Sequence, residues 1–184
     1  AIKITPLFFK AQRTEGGLGL STSEIGLLYG VFGAIAFVLG SIVAGHFVSK
    51  KGLDRKTLMI LCAFFNIPFI AYAFLAITLP TNLYLIAAAV AIEYFGYGFG
   101  FIGIILFIMQ NIAPGKYKMA HYAFGSGLVN LGFMIPSMIG GWQSDHLGYK
   151  EFFIWVLIST IPAFLVSWWV PLRKPEKEHT DENN

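Results

Sequence analysis

Long apolar runs separated by short polar connectors make up most of the chain. Five of the runs are long enough to cross a bilayer as α-helices, since about 20 residues at a rise of about 1.5 Å each span its hydrocarbon core. In chain order they are Ile25–Val48, Leu58–Leu79, Leu83–Met109, Met119–Gly141 and Phe152–Val170. A shorter apolar run, residues 2–9, is typical of the end of a preceding membrane helix. The pattern predicts an all-α fold, a polytopic membrane helix bundle with five full transmembrane helices plus the end of another.

The placement of charge supports a membrane protein. Charged residues make up 12% of the 184 residues, against about 25% in an ordinary soluble domain. A soluble helix repeats charged positions along one face at a period of 3.6 residues, whereas Glu93 is the only charged residue well inside an apolar run. The sequence holds no nucleic-acid motif, and its four histidines and single cysteine are far apart. We therefore expect the lipid bilayer as a partner, no nucleic-acid partner, no metal site and no cofactor.

Three regions follow from this pattern. Residues 1–23 form the end of a preceding transmembrane helix and an extracytoplasmic connector, residues 24–170 form the five-helix bundle, and residues 171–184 form a charged tail that we expect to be disordered. Lys and Arg number nine on the side of the tail and four on the other, where Lys3, Lys10 and Arg13 are counted. The positive-inside rule then places the C-terminus in the cytoplasm. Because the chain begins with Ala1 inside an apolar run, we expect it to be a fragment of a longer protein.

Glu93 is the residue to which we give the most weight. It lies roughly 15 Å from the Leu83 end of its helix, near the membrane midplane, where a carboxylate costs several kcal/mol unless it is paired, protonated or facing water. Such a residue indicates a proton relay or a substrate contact; the alternative is a structural Glu that hydrogen-bonds a neighbouring helix. Four glycines that permit close backbone approach or a local break follow it: Gly96, Gly98, Gly100 and Gly103.

Two loops carry a family motif. The segment Gly45-His-Phe-Val-Ser-Lys-Lys-Gly52 resembles the Gly-x-x-x-Asp-Arg/Lys-x-Gly motif of the major facilitator superfamily, which joins two helices on the cytoplasmic side. Gly45, Lys50 and Gly52 match the motif, and Ser49 stands where the family usually has Asp. The residues 141–148 repeat the pattern before the last helix. Lys50, Lys51, Arg55 and Lys56 are expected to anchor this loop at lipid headgroups rather than bind substrate.

A more specific likeness is to the C-terminal half of the AmpG-like muropeptide permeases and their relatives, the acetyl-CoA transporters. Residues 19–26, 92–100 and 121–126 carry it, and it extends over most of residues 18–170. The resemblance implies helices eight to twelve of a twelve-helix transporter, with residues 1–9 as the outer end of helix seven. Glu93 matches the acidic position of the family's tenth helix, and Tyr94 replaces the family's Asn.

The same resemblance implies a function. It implies alternating access between two six-helix halves in a bacterial cytoplasmic (inner) membrane, with proton-driven uptake of a small polar solute such as a muropeptide or a sugar-like compound. The missing N-terminal half of the same chain would be a partner. Low dielectric disfavours a charged Glu93, so we expect proton exchange at this carboxylate to bias the inward and outward states.

Six further polar residues are candidates for the lining of a substrate path: Asn66, Tyr94, Tyr97, His121, Ser126 and Asn130. Each has a structural alternative. Buried amides often only join helices, at about 0.6 kcal/mol each in membranes. Asn66 also precedes Pro68, which frees a backbone carbonyl that Asn66 could bond. The two tyrosines pack equally well in a core, and His121 suits an interface, although it could titrate near neutral pH.

Other function classes stay open. A membrane-embedded enzyme needs a nucleophile or a metal set at depth, and the apolar runs contain no such cluster, so we expect no enzyme. A non-transporting scaffold or assembly protein would use Glu93 as a helix-pairing residue. A sugar or drug carrier of the same superfamily fits one half of the fold equally well.

Overall fold

The computed structural model describes residues 3–112 and 117–172, which are helical or loop and contain no strand. We name its helices in chain order: α1 Thr5–Lys10, α2 Thr22–Lys51, α3 Arg55–Thr78, α4 Leu83–Ile112, α5 Lys118–Ile158 and α6 Ile161–Trp169. A 3₁₀ turn, Arg13–Glu15, lies between α1 and α2. Residues 28–33 of α2 and 108–112 of α4 are wound as π-helix. These elements confirm the predicted all-α membrane bundle.

Within the described ranges, four helical stretches are long and apolar enough to cross a membrane: α2, α3, α4 and the stretch Lys118–Trp169 that contains α5 and α6. The last holds both of the C-terminal spans that the sequence predicts. We expected a connector of about ten residues between them, and this expectation is wrong. The connector is helical apart from Gly148, whose φ of 77° and ψ of 164° interrupt α5.

The chain reverses at Gly148. The ring of Phe152 lies 3.8 Å from the position that a Cβ on Gly140 would take, whereas a straight helix would place these residues about 18 Å apart. Residues 118–147, which we call the first arm of α5, therefore run antiparallel to residues 149–158, the second arm. A glycine makes this reversal in one residue because it adopts positive φ without steric cost.

The helix α4 occupies the centre of the bundle, with α2 and α3 packed on it at backbone distance. A Cβ on Gly98 would collide with the carbonyl oxygen of Phe37 in α2, and a Cβ on Gly96 would collide with that of Phe64 in α3. From the other side, a Cβ on Gly40 in α2 would collide with the carbonyl of Phe95. Without side chains at these three positions, the backbones approach closely, which is how helices gain packing energy in lipid.

One end of the bundle is closed by the N-terminal segment. Phe8 and Phe9 of α1 are fully buried in an apolar cluster with Tyr72 of α3 and Phe153 of α5. The Arg13 guanidinium donates hydrogen bonds to the carbonyls of Leu79 (2.8 Å) and Pro80 (3.0 Å) in the α3–α4 turn. The first connector and this turn thus lie at the same end, as the alternation of spans predicts.

The opposite end joins the basic loop to the end of α6. The Arg55 guanidinium lies 5.9 Å from the ring centre of Trp168 and 3.5 Å from the carbonyl oxygen of Val170. Residues 173–184, the larger part of the predicted disordered tail, lie outside the described residues. The side of the membrane on which this end lies stays a prediction.

Candidate functional site

The carboxylate of Glu93 is buried at the α3–α4 contact. Its side chain is 3% exposed, and its Oε2 accepts a hydrogen bond of 3.1 Å from the hydroxyl of Tyr72, which is 1% exposed. Among the described residues, no lysine, arginine or histidine forms an ion pair with it. Hydrogen bonds to charged groups contribute only about 1.5–3 kcal/mol. One neutral donor therefore offsets only part of the cost of burying a charge at this depth.

Aromatic side chains surround this pair. The ring of Tyr29 stacks on Phe9 at 5.8 Å between ring centres and lies 5.5 Å from the ring of Tyr94. The Tyr29 hydroxyl oxygen is buried and has no hydrogen-bond partner in the part of the chain that the structure describes. Tyr29 belongs to the π-helical turn of α2, and such turns frequently occur at functional sites. In the part of the chain that the structure describes, Glu93 thus faces hydroxyl-bearing rings and no cationic side chain.

Two cavities lie between the first arm of α5 and the rest of the bundle. The larger, about 570 Å³, is lined by Tyr97 of α4 and Asn130 of α5, and the smaller, about 390 Å³, is lined by Asn66 of α3. Lys3 and Ser137 line both. Asn130 lies about 18 Å along α5 from Lys118, so the larger cavity reaches well into the membrane-spanning region.

The structure therefore brings three of the predicted path residues, Asn66, Tyr97 and Asn130, to adjoining cavities. Glu93 lines neither of them. Tyr94 is half-buried and packs its ring 3.3 Å from the position of a Cβ on Gly33. Whether the three cavity residues contact a solute stays a prediction.

The other two path candidates lie apart from these cavities. The Ser126 hydroxyl donates to the carbonyl of Tyr122 in its own helix at 2.8 Å. His121 is exposed in the first turns of α5.

The amide of Asn66 does not bond the backbone carbonyl that Pro68 leaves without a donor. Its Nδ2 donates instead to the carbonyl of Cys62 at 2.8 Å. The carbonyl without a donor belongs to Phe64, and it faces Gly96 of α4. Proline in α3 and glycine in α4 thus meet at the closest point of the two backbones.

The residues of the loop motif lie at the end of α2. Ser49 and Lys50 are exposed in its last turn, and Gly52 ends the helix with a φ of 73°. Space is open around the Cα of Gly45. Because glycine adopts positive φ without strain, Gly52 fits a tight connection between α2 and α3.

Sequence reasoning missed Tyr72 and the position of Lys3. Tyr72 was detectable: α3 and α4 are joined by a short turn, so residues at similar distances from that turn lie at the same depth, as Tyr72 and Glu93 do. Lys3 was counted with an extracytoplasmic connector. Its place beside both cavities depends on how α1 packs against α5, which hydropathy does not contain.

The chain is similar to known membrane transporters. The family model of the Major Facilitator Superfamily matches residues 4–184. "Putative transporter AmpG 1" of Rickettsia felis is 26% identical over 144 residues, covering 78% of this chain and 31% of the relative. "Anhydromuropeptide permease" of Escherichia coli K12 is 24% identical over 152 residues, covering 82% of this chain and 30% of the relative.

The chain spans about a third of the length of these relatives. No solved structure matches it. The match to the family model covers nearly the whole chain, including every helix described above. This chain belongs to the Major Facilitator Superfamily.

Proposed function

We propose that this chain is part of a secondary active transporter that moves a small polar solute across the bacterial inner membrane by alternating access. The observation that carries the proposal is Glu93, a buried acid without a cationic partner among the described residues, on a helix whose next turn reaches a polar cavity through Tyr97. The N-terminal half of the transporter would be supplied by the remainder of a longer chain, and the C-terminus would face the cytoplasm.

Glu93 is the proposed coupling residue. In the described arrangement its carboxylate is buried, accepts a hydrogen bond from Tyr72 and lines neither cavity. Low dielectric favours its neutral form, so proton binding stabilises this buried arrangement relative to one in which water reaches the carboxylate. A proton taken up on one side and released on the other thereby shifts the population between the two states.

The proposed solute is a muropeptide or a sugar-like compound. Support comes from the relative named anhydromuropeptide permease and from the amide and aromatic side chains that line the smaller cavity. Each cavity has a volume in the range of small-molecule sites, about 300–1,000 Å³. We propose uptake as the direction, coupled to proton entry.

The test is Glu93→Gln in the full-length protein, reconstituted in vesicles with anhydromuropeptide as the probe. Gln keeps the size of the side chain and a hydrogen-bond acceptor for Tyr72 but does not bind a proton. We expect loss of gradient-driven accumulation while exchange of internal for external probe continues. Glu15→Gln, at an exposed position in the connector, is the matched control and should accumulate normally. Unchanged accumulation in Glu93→Gln would exclude this residue from coupling.

One observation favours a second candidate function, a non-transporting scaffold. Glu93 hydrogen-bonds Tyr72 across α3 and α4, as a helix-pairing residue would. Flux separates the two functions: a scaffold shows neither exchange nor accumulation of any solute, with or without Glu93, while the variant loses stability.

A further inference from the structure

Lys3 lines both cavities. We propose that these cavities form one binding site for an anionic solute and that Lys3 pairs with its carboxylate or phosphate. The proposal rests on the transport function above and names the chemical class of the solute. Three steps support it: the charge of the cavity lining, the hydrogen-bond donors that remain free, and the apolar walls.

The lining carries positive charge only. Among the described residues that line the two cavities, Lys3 is charged and no aspartate or glutamate is present. Within residues 3–112 and 117–172, the Lys3 ammonium forms no hydrogen bond or ion pair. Lys3 is exposed, and its unpaired charge beside the low-dielectric cavity walls raises the local concentration of the opposite charge at the cavities. An anion therefore gains energy on entering and a cation loses it.

Most hydroxyl donors around the cavities are already used, but in the described part of the chain the Tyr97 hydroxyl beside the larger cavity forms no hydrogen bond. Ser137 donates to the carbonyl of Phe133 at 2.6 Å, and Ser159 and Thr160 likewise donate within their own helix or turn. The amides differ, because each carries two N–H donors. The Asn66 amide nitrogen donates to both the carbonyl oxygen (2.8 Å) and the Sγ (3.4 Å) of Cys62, and Asn130 uses one N–H on the carbonyl of Ser126.

The site therefore offers a ligand free N–H groups and one hydroxyl. One amide N–H of Asn130 and the hydroxyl of Tyr97 remain, and in the described part of the chain Gln143 forms no hydrogen bond at all. Together with the ammonium of Lys3, these groups donate to an anion and add to the charge effect.

Much of the remaining wall is aromatic. Phe69, Phe152 and Trp155 line the smaller cavity, and Phe133 lines both. A solute that fits this combination carries its anionic group on a ring or another body with an apolar face, since aromatic walls bury such faces and leave the charged end to the donors. The site thus favours an anionic solute with a flat ring over a small inorganic anion.

The test measures the sign of the potential inside the site without using a substrate. In the full-length protein, Ser137→Cys places a thiol in both cavities on a background in which Cys62 is replaced by Ala. The rate at which this thiol reacts is measured with two methanethiosulfonate reagents of similar size, one anionic (sulfonate) and one cationic (trimethylammonium). We expect the anionic reagent to be favoured and Lys3→Gln to lower the anionic-to-cationic rate ratio by about tenfold.

Two controls define the outcomes. Lys3→Arg keeps the charge and should keep the ratio, and Lys10→Gln removes an exposed lysine that lines neither cavity, so the ratio should stay unchanged. A ratio insensitive to Lys3→Gln, or a thiol that reacts with neither reagent, would overturn the proposal. A Lys3-dependent ratio in a protein that does not accumulate anhydromuropeptide would uphold the anion site and refute the proposed uptake. Normal uptake of anhydromuropeptide together with a rate ratio that Lys3→Gln leaves unchanged would uphold the proposed uptake and refute the anion site.

Discussion

The glycines of α4 and most of those in the first arm of α5 have opposite surroundings; Gly125, whose Cβ would lie 2.9 Å from Ile108, is an exception. A Cβ on Gly96, Gly98 or Gly100 would meet a neighbouring helix at impossibly short range, whereas a Cβ on Gly127 or Gly132 would meet nothing within 4 Å. Both helices are apolar and glycine-containing, so composition does not distinguish them. In α4 the glycines allow backbones to touch, and in α5 Gly132 lines the smaller cavity. We therefore expect the α2–α3–α4 contact to be the rigid part of the bundle and the first arm of α5 to be the part that moves.

The most direct test of this difference adds one methyl group to a glycine of α4 and one to a glycine of the first arm of α5. Gly96→Ala places a Cβ against the carbonyl of Phe64 and should lower the free energy of unfolding by about 1–3 kcal/mol, as overpacking does. Gly132→Ala has open space and better helix propensity, so its stability should stay equal or rise by up to about 1 kcal/mol. Denaturation in mild detergent measures both. Equal losses in the two variants would contradict the contrast.

A second variant tests the reversal that separates the two arms of α5. Gly148→Ala forces a residue with a Cβ into a φ of 77°. We expect a loss of about 1–2 kcal/mol, because left-handed backbone is strained for residues other than glycine. Gly141→Ala, seven residues earlier in helical backbone with open space, is the control. If Gly148→Ala is as stable as this control, the chain does not need the sharp reversal.

The third prediction concerns the polar contact inside the rigid part. Tyr72→Phe removes the donor to Glu93 and should cost about 1–3 kcal/mol, because it leaves the buried carboxyl without this hydrogen bond. Tyr29→Phe removes a buried hydroxyl that has no partner in the described part of the chain, so it should be neutral or slightly stabilising. Thermal unfolding of the two variants gives the comparison. A double-mutant cycle with Glu93→Gln then isolates the coupling between the two side chains.

The smallest expected effect lies at the start of α3, outside the membrane spans. The Asp54 carboxylate accepts a hydrogen bond of 2.7 Å from the backbone N–H of Thr57. Hydrogen bonds from the backbone and side chain of Thr57 hold the pKa of Asp54 below its ordinary value of 3.8. Its contribution to stability is thus fully present above pH 3.8 and is lost as the pH falls through the lower folded-state pKa.

Asp54→Asn keeps a capping oxygen but does not titrate. The stability of the wild-type protein should therefore fall relative to this variant below pH 3.8, as measured by unfolding across a pH series. A difference between the two proteins that is independent of pH would show that the carboxylate does not lose its cap on protonation.

Much of the fold follows from hydropathy alone. The first three predicted spans match α2, α3 and α4 to within about three residues, which is the usual uncertainty of helix ends. Hydropathy does not distinguish two lines of small residues in α2: the one through Ala36, Gly40 and Ala44 is buried, and the one through Gly26 and Gly30 is exposed.

The failures have a common physical cause. A connector was expected between the last two spans because Trp142–Glu151 is polar, yet a single glycine makes the reversal and its neighbours stay helical. Asn66 was considered as a partner of the carbonyl that Pro68 frees, yet its amide bonds one turn back within α3. Both outcomes depend on local geometry that a polarity pattern does not record.

Sequence by itself determined which stretches are long and apolar enough to cross a membrane and that one acid lies well inside one of them, because both depend only on apolar length and on position along a helix. Tertiary structure alone decided that Glu93 faces Tyr72, that Asn66, Tyr97 and Asn130 reach adjoining cavities, and that Lys3 lines both of those cavities. The reason is rotational. A membrane helix is apolar on all sides, so its sequence contains no polar stripe to show which face meets which neighbour, and packing settles that choice.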